Sequence, residues 1–145
     1  MLRPMKNDEP GPSREAVDAV LQFLPILSAP GFVPGAEAGG EPRGNGVMTL
    51  PWFDYSPEMN ALVQALYDNG WIYDFDWPAW GATAERYVER PALLRDADLA
   101  TIRKLFTTHV RADRFTEGHL AAMARCGHLV ALLRRLQELR EGMLD

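Results

Sequence analysis

The sequence predicts a mainly α-helical fold, a compact bundle of about six helices with at most one short β-hairpin. Three observations support this prediction. Apolar residues recur at helical spacing in several separate stretches. Residues that favour a helix start precede these stretches, and glycine or proline ends most of them. Strand-favouring residues are concentrated in residues 47–55, which leaves room for one short hairpin.

The first helix is predicted over residues 14–27, with the hydroxyl of Ser13 as its N-cap. Pro25 lies inside the apolar pattern and is expected to end or kink this helix near Leu24. Residues 29–46 follow with six glycines and three prolines. This composition is typical of a long loop or a weak hairpin.

A short strand is predicted over residues 47–55, where valine, threonine and three aromatic residues lie close together. Pro51 confines the strand to the edge of a sheet, because proline has no amide hydrogen to donate. The second helix begins at Ser56 and Pro57, a good N-cap followed by a residue suited to the first helical turn. The dipeptide Asn-Gly at 69–70 ends it.

Four further helices are predicted in the second half of the chain. The third ends near Val88, because Pro91 prevents its continuation. Gly127 ends the fifth. In chain order, the predicted starts of these four helices are Pro78, Asp96 together with Asp98, Thr116 and His128.

A chain of 145 residues, 47% of them hydrophobic, is expected to form one domain of ordinary size. We expect residues 1–12 to be a disordered tail and residues 13–145 to form a single helical domain. No apolar run approaches the roughly 20 residues of a membrane span, and the first residues lack the apolar core of a signal peptide. The single cysteine, Cys126, agrees with a reducing compartment. The sequence therefore predicts a cytoplasmic protein that does not contact a membrane.

Charge is distributed unevenly along the chain. Residues 51–90 contain seven acids and two bases, whereas residues 101–140 contain eight bases and three acids. These two segments either attract each other inside the fold, or the second presents a basic face to an anionic partner.

Aromatic residues alternate with acids in residues 71–80, and all four tryptophans lie between residues 52 and 80. One interpretation is a surface patch that binds a protein partner through Trp71, Trp77 and Trp80. The other is an aromatic core beneath a connecting loop. The acids in the same stretch argue against a surface that binds nucleic acid phosphates.

Residues 107–128 contain all three histidines and many locally opposed charges. His109 and Asp113 are four residues apart, so on a continuous helix they share a face on which a carboxylate orients an imidazole. The guanidinium groups of the nearby arginines suit a carboxylate or phosphate, and the free amides at the next helix start favour an anion. We therefore predict a corner that binds an anionic small molecule. Its ligand-binding residues are His109, Arg111, Asp113, Arg114, Glu117 and His119.

Other interpretations of this corner remain open. In one of them, the side chains satisfy one another and the exposed helix ends, in a purely structural role. Alternatively, the protein is a small enzyme in which His109 acts as general acid or base with Asp113 or Glu117. Cys126 as a nucleophile is weaker, because a lone cysteine on a helix face is usually a small apolar side chain.

No metal site or cofactor is predicted. The three histidines are separated by nine and then eight residues, unlike the spacing of known zinc motifs. A further alternative is a helix-turn-helix reader of nucleic acid over residues 116–136, with Arg134 and Arg135 on its second helix. The formal net charge of −5 argues against it, so a nucleic acid partner is not expected.

Two stretches resemble a family of small bacterial proteins classed as a domain of unknown function. The first, residues 70–80, is GWIYDFDWPAW, and the second, residues 105–120, is LFTTHVRADRFTEGHL. The resemblance covers roughly residues 47–141 and implies a bacterial origin and a compact helical domain. It implies no activity. The sequence as a whole thus favours a non-catalytic binding or regulatory module.

Overall fold

The computed structural model describes residues 11–40, 44, 46 and 50–143, and these form seven α-helices and one two-stranded antiparallel hairpin. The predicted mainly α fold class is confirmed. The helices are α1 (Arg14–Leu21), α2 (Leu24–Leu27), α3 (Pro57–Asp68), α4 (Trp77–Glu89), α5 (Leu99–Asp113), α6 (His119–Arg125) and α7 (His128–Glu141). A 3-10 helix, Pro91–Asp96, precedes α5, and the strands are β1 (Gly35–Ala38) and β2 (Trp52–Tyr55).

Side-chain caps begin four of the helices. Ser13, Ser56 and Asp98 each accept a hydrogen bond from the amide three residues later, as N-caps of α1, α3 and α5. Asp76 caps α4 in the same way, so that helix begins one residue before the predicted start at Pro78. These carboxylates and hydroxyls satisfy amides that would otherwise have no helical partner.

The helix predicted over residues 14–27 is divided into α1 and α2. Pro25 lies in the first turn of α2, where an amide has no helical partner to lose. The break lies at Gln22 and Phe23, directly before Leu24, where the sequence predicted an end or a kink.

The glycine-rich stretch forms half of a hairpin. Gly35 of β1 pairs with Tyr55 of β2, and Ala38 pairs with Trp52. A side chain at Gly35 would overlap the backbone of β2, which explains why glycine occupies this position. Residues 47–49 of the predicted strand lie outside the described residues.

The disordered tail predicted over residues 1–12 falls largely outside the described residues. Its last residue, Pro12, is among the described residues and is buried. No helix in the described part of the chain is long and apolar enough to cross a membrane.

Helix α7 is the central element of the core. It contacts α1, α2, α5, α6 and the 3-10 helix. Its leucines at 129, 132, 133 and 136 are almost completely buried. Trp71 lies in the same core, where its ring meets Phe106 edge to face and its Nε1 donates to the carbonyl of Ala16 at 2.9 Å. Helices α5 and α6 both pack against α7, so the three helices that carry the histidines lie together.

Candidate functional site

The candidate site forms where α5, α6 and α7 meet. Residues 107–110 of α5 are buried, so the polar side chains in this segment face other elements of the protein. Helix α6 begins at His119, after Gly118 with φ of 83°, and not at the predicted cap Thr116. This left-handed conformation is easily adopted only by glycine, and it turns the chain sharply between the two helices.

Asp113 and Tyr55 cap α6 from outside the helix. One carboxylate oxygen of Asp113 accepts hydrogen bonds from the Tyr55 hydroxyl and from the amide of Leu120, at 2.5 and 3.0 Å. The Tyr55 hydroxyl accepts from the amide of Ala121 at 3.3 Å. Burial, together with the adjacent carboxylate, raises the pKa of Tyr55 well above its ordinary value, so the hydroxyl remains a donor.

Glu117 connects the same corner to the hairpin. Its carboxylate accepts a hydrogen bond from the backbone amide of Phe53 in β2. Asp113 and Glu117 thus both accept hydrogen bonds from the hairpin. His109 forms its hydrogen bond with neither of these carboxylates. The pairing of His109 with a carboxylate that the enzyme interpretation requires is not formed.

His109 forms its hydrogen bond with His119. The two ring nitrogens, Nδ1 of His109 and Nε2 of His119, lie 3.0 Å apart, so one carries the shared hydrogen and the other accepts it. The ring of His128 packs edge to face against His109, with 4.9 Å between the ring centroids. Three successive helices therefore contribute one imidazole each to a single cluster.

Burial keeps these imidazoles uncharged. It lowers the pKa of His109 to about 3 and the pKa of His128 to about 4, with a further lowering from the neighbouring imidazoles. Burial also lowers the pKa of His119, although the negative charge of Asp113 opposes that change. At neutral pH the cluster offers hydrogen-bonding groups without positive charge.

Three buried polar atoms near this cluster have no hydrogen-bond partner among the described residues. They are the hydroxyl of Thr108, Nε2 of His109 and Nε2 of His128. Leaving such a group unsatisfied costs about 1–3 kcal/mol. An arrangement of this kind is unusual in a core whose only role is stability.

A cavity of about 310 Å³ lies beside the cluster, between α4, α5 and α6. Thr108, His109 and His119 contribute to its lining from α5 and α6, and most other lining residues are apolar. The only lining residue with a formal charge at neutral pH is Glu85, which is exposed. The remaining lining residues are Trp77, Pro78, Gly81, Ala84, Val88, Ala112 and Met123.

The two predicted ligand-binding arginines lie away from this cavity. The Arg111 guanidinium is 5.9 Å from the centre of the Tyr67 ring, and Arg114 donates to the Tyr67 hydroxyl at 3.4 Å. The six predicted residues therefore divide into three groups. His109 and His119 line the cavity, Asp113 and Glu117 bond to the hairpin, and the arginines lie beside α3.

The three tryptophans of the predicted interface also lie in different surroundings. Trp71 is completely buried, so the prediction that it joins an exposed patch is wrong. Trp77 lines the cavity, and its ring centre is 5.8 Å from that of the exposed Phe115. Trp80 is half-buried beneath Lys104.

The predicted ligand-binding set does not include Thr108, His128, Met123 or Tyr55. The first two lie in the polar stretch 107–128, but no spacing within that stretch indicates that their helices converge. Tyr55 is 58 residues from Asp113 along the chain, so only the tertiary fold connects them. In the described part of the chain, no group of three or more histidine, cysteine, aspartate or glutamate side chains is arranged to hold a metal ion.

The model of one protein family matches residues 12–142, which is most of the chain. The description of this family, DUF6508, is a family of unknown function. No curated protein and no solved structure matches the chain.

Proposed function

We propose a binding function for this chain, which belongs to the family of unknown function DUF6508. The cavity beside the histidine cluster binds a small, mainly apolar molecule without transforming it. One observation carries the proposal: a cavity of about 310 Å³ adjoins Thr108 and His109, two buried residues with unsatisfied polar atoms. Cavities of this size with mostly apolar walls and a few polar groups are typical of small-molecule sites.

The chemistry of the walls supports binding more than catalysis. A general base at neutral pH needs a pKa near 7, and burial holds the pKa of His109 far below that value. The two carboxylates that the enzyme interpretation assigned to His109 are bonded to Tyr55 and to the Phe53 amide. Neutral imidazoles act well as donors or acceptors toward a bound molecule.

The anionic ligand predicted from the sequence has less support from this geometry. Neither Arg111 nor Arg114 lines the cavity, and the formal charge present there belongs to Glu85. Binding of an anionic ligand by Arg111 and Arg114 stays a prediction. Nucleic acid reading by α7 has less support still, because His128 and Leu129 in its first turn are buried.

Filling the cavity tests the proposal. Gly81 lines it, and a Cβ added at Gly81 meets no atom within 4 Å, so a larger side chain has room to extend there. We expect Gly81→Leu to fold but to lose binding of an uncharged two-ring probe such as 3-ethylindole by at least about tenfold. Ala82→Leu is the matched control, since Ala82 is exposed on the same helix and does not line the cavity.

Protein-detected NMR titration gives the dissociation constants, and urea unfolding shows that both variants are folded. Support for the proposal is saturable binding to the wild type and to Ala82→Leu that Gly81→Leu lacks. The proposal fails if the wild type binds neither this probe nor its charged analogues, or if Gly81→Leu binds as tightly as the wild type.

A further inference from the structure

We propose that the ligand of this cavity is a small amine, with its positive charge at Glu85 and its apolar body inside. The inference rests on the proposed binding function and specifies the chemical class of the ligand. Its basis is the charge and the aromatic surface around the cavity.

Glu85 supplies a negative charge that no ion pair among the described residues balances. It is exposed, lines the cavity, and has no ion pair or hydrogen-bond partner among the described residues. The cations of α5 are engaged elsewhere. Arg103 donates to the carbonyl of Gly70 and lies over the Tyr73 ring, while Lys104 faces Trp80 and Phe75.

The histidines do not change this balance. His109 is buried and bonded to His119, and both imidazoles are uncharged at neutral pH. An anionic ligand would meet the Glu85 carboxylate without a compensating cation in the lining. A positively charged group would be attracted to that carboxylate.

The ring of Trp77 lines the cavity about two helical turns before Glu85 on α4, where it offers aromatic surface to the body of a ligand whose charge lies at Glu85. Phe115, 80% exposed, lies against Trp77 and extends this aromatic surface toward solvent. A carboxylate and an aromatic ring on the lining of one cavity are complementary to a protonated amine.

The rest of the cavity suits an apolar body. Ala84, Val88, Ala112 and Met123 line it, and its volume of about 310 Å³ is roughly twice that of an apolar cavity that holds benzene. A two-ring aromatic amine or a branched aliphatic amine has the appropriate size.

Three probes of similar shape and different charge test the proposal: tryptamine, 3-ethylindole and indole-3-acetate. We expect wild-type protein near neutral pH and low salt to bind tryptamine about 3- to 10-fold more tightly than 3-ethylindole, with the anion weakest. Glu85→Gln is expected to remove this preference. Glu89→Gln is the matched control, because Glu89 is an exposed acid one turn further along α4 that does not line the cavity.

The outcomes separate this inference from the binding function itself. A preference for tryptamine that survives in Glu89→Gln and is lost in Glu85→Gln supports the amine. If 3-ethylindole and tryptamine bind equally well, or if Glu85→Gln keeps the preference, the proposal of an amine held at Glu85 is wrong. The binding function stands in both cases. Tighter binding of indole-3-acetate than of tryptamine also contradicts the proposal of an amine ligand. If none of the three probes binds the wild type, both proposals fail.

Discussion

Tyr55 shows how one hydroxyl can position a helix that belongs to another part of the chain. It donates to Asp113 and accepts from the amide of Ala121, and so replaces the side-chain cap that Gly118 cannot provide. The N-terminus of α6, which holds His119 against His109, depends on this pair of contacts. The position of a cavity residue is thus fixed by a side chain that does not line the cavity.

Replacing Tyr55 with phenylalanine measures this contribution. We expect Tyr55→Phe to lower the free energy of unfolding by about 1–3 kcal/mol, because Asp113 and the Ala121 amide each lose a partner. Urea unfolding measures the change. Tyr67→Phe is the control, since the Tyr67 hydroxyl makes one long contact with exposed Arg114, and its loss should cost less than about 0.5 kcal/mol. Equal effects of the two substitutions would contradict the capping role of Tyr55.

At the scale of the elements, the turn between α5 and α6 depends on backbone conformation. Gly118 has φ of 83°, and a Cβ there would meet Phe53 only at 3.7 Å or more. A side chain at this position therefore fits in space but is strained in conformation. The interior of α4 presents the opposite case, because Gly81 is helical and has open space around it.

A pair of alanine substitutions separates these two situations. Gly118→Ala is expected to destabilise the protein by about 1–2 kcal/mol, because alanine rarely adopts a left-handed conformation. Gly81→Ala is expected to stabilise it by about 0.5–1 kcal/mol, because glycine is a poor helix residue. Thermal or urea unfolding of both variants gives the two signs. Stabilisation by Gly118→Ala would show that the turn is not held in the left-handed region.

The elements that local chemistry determines are those that sequence reasoning predicted well. Ser13, Ser56 and Asp98 act as N-caps because a hydroxyl or carboxylate satisfies nearby amides whatever the rest of the fold does. The start of α6 was mispredicted at Thr116, because the caps there come from Tyr55 and Asp113. The spacing of residues in the sequence does not indicate such long-range contacts.

At the scale of the whole molecule, the candidate site is a product of tertiary packing. His109 and His119 were both predicted to belong to it, but their mutual hydrogen bond and the contact with His128 arise only when three helices converge. The arginines were assigned to the same site because they are neighbours in sequence. Instead, Arg111 in the last turn of α5 and Arg114 just beyond its end both direct their side chains toward Tyr67 of α3.

The buried histidines also make global stability depend on pH. The unfolded chain binds protons as pH falls below about 6.5, whereas the folded His109 and His128, with pKa values of about 3 and about 4, do not. Stability is therefore fully present above the unfolded pKa and decreases as pH falls toward the folded values. Between about pH 7 and about pH 5, each of the two histidines should remove on the order of 2 kcal/mol.

Urea unfolding over this pH range tests the expectation. His128→Leu should reduce the fall in stability by about the contribution of one histidine, since it removes one buried titrating group. It also removes an unsatisfied buried nitrogen, so stability at neutral pH should change little. A pH dependence identical to that of the wild type would show that His128 is accessible to protons in the folded state.

The hairpin forms two hydrogen bonds with the turn between α5 and α6, and these bear on the order in which the protein folds. These bonds join Phe53 to Glu117 and Tyr55 to Asp113, which are 64 and 58 positions apart. Contacts this distant in sequence require closure of a long loop, as do the still more distant contacts of α7 with α1 and α2. We expect the neighbouring pairs α5–α6 and α6–α7 to assemble first, and the cavity beside His119 to reach its final shape only when the two strands dock.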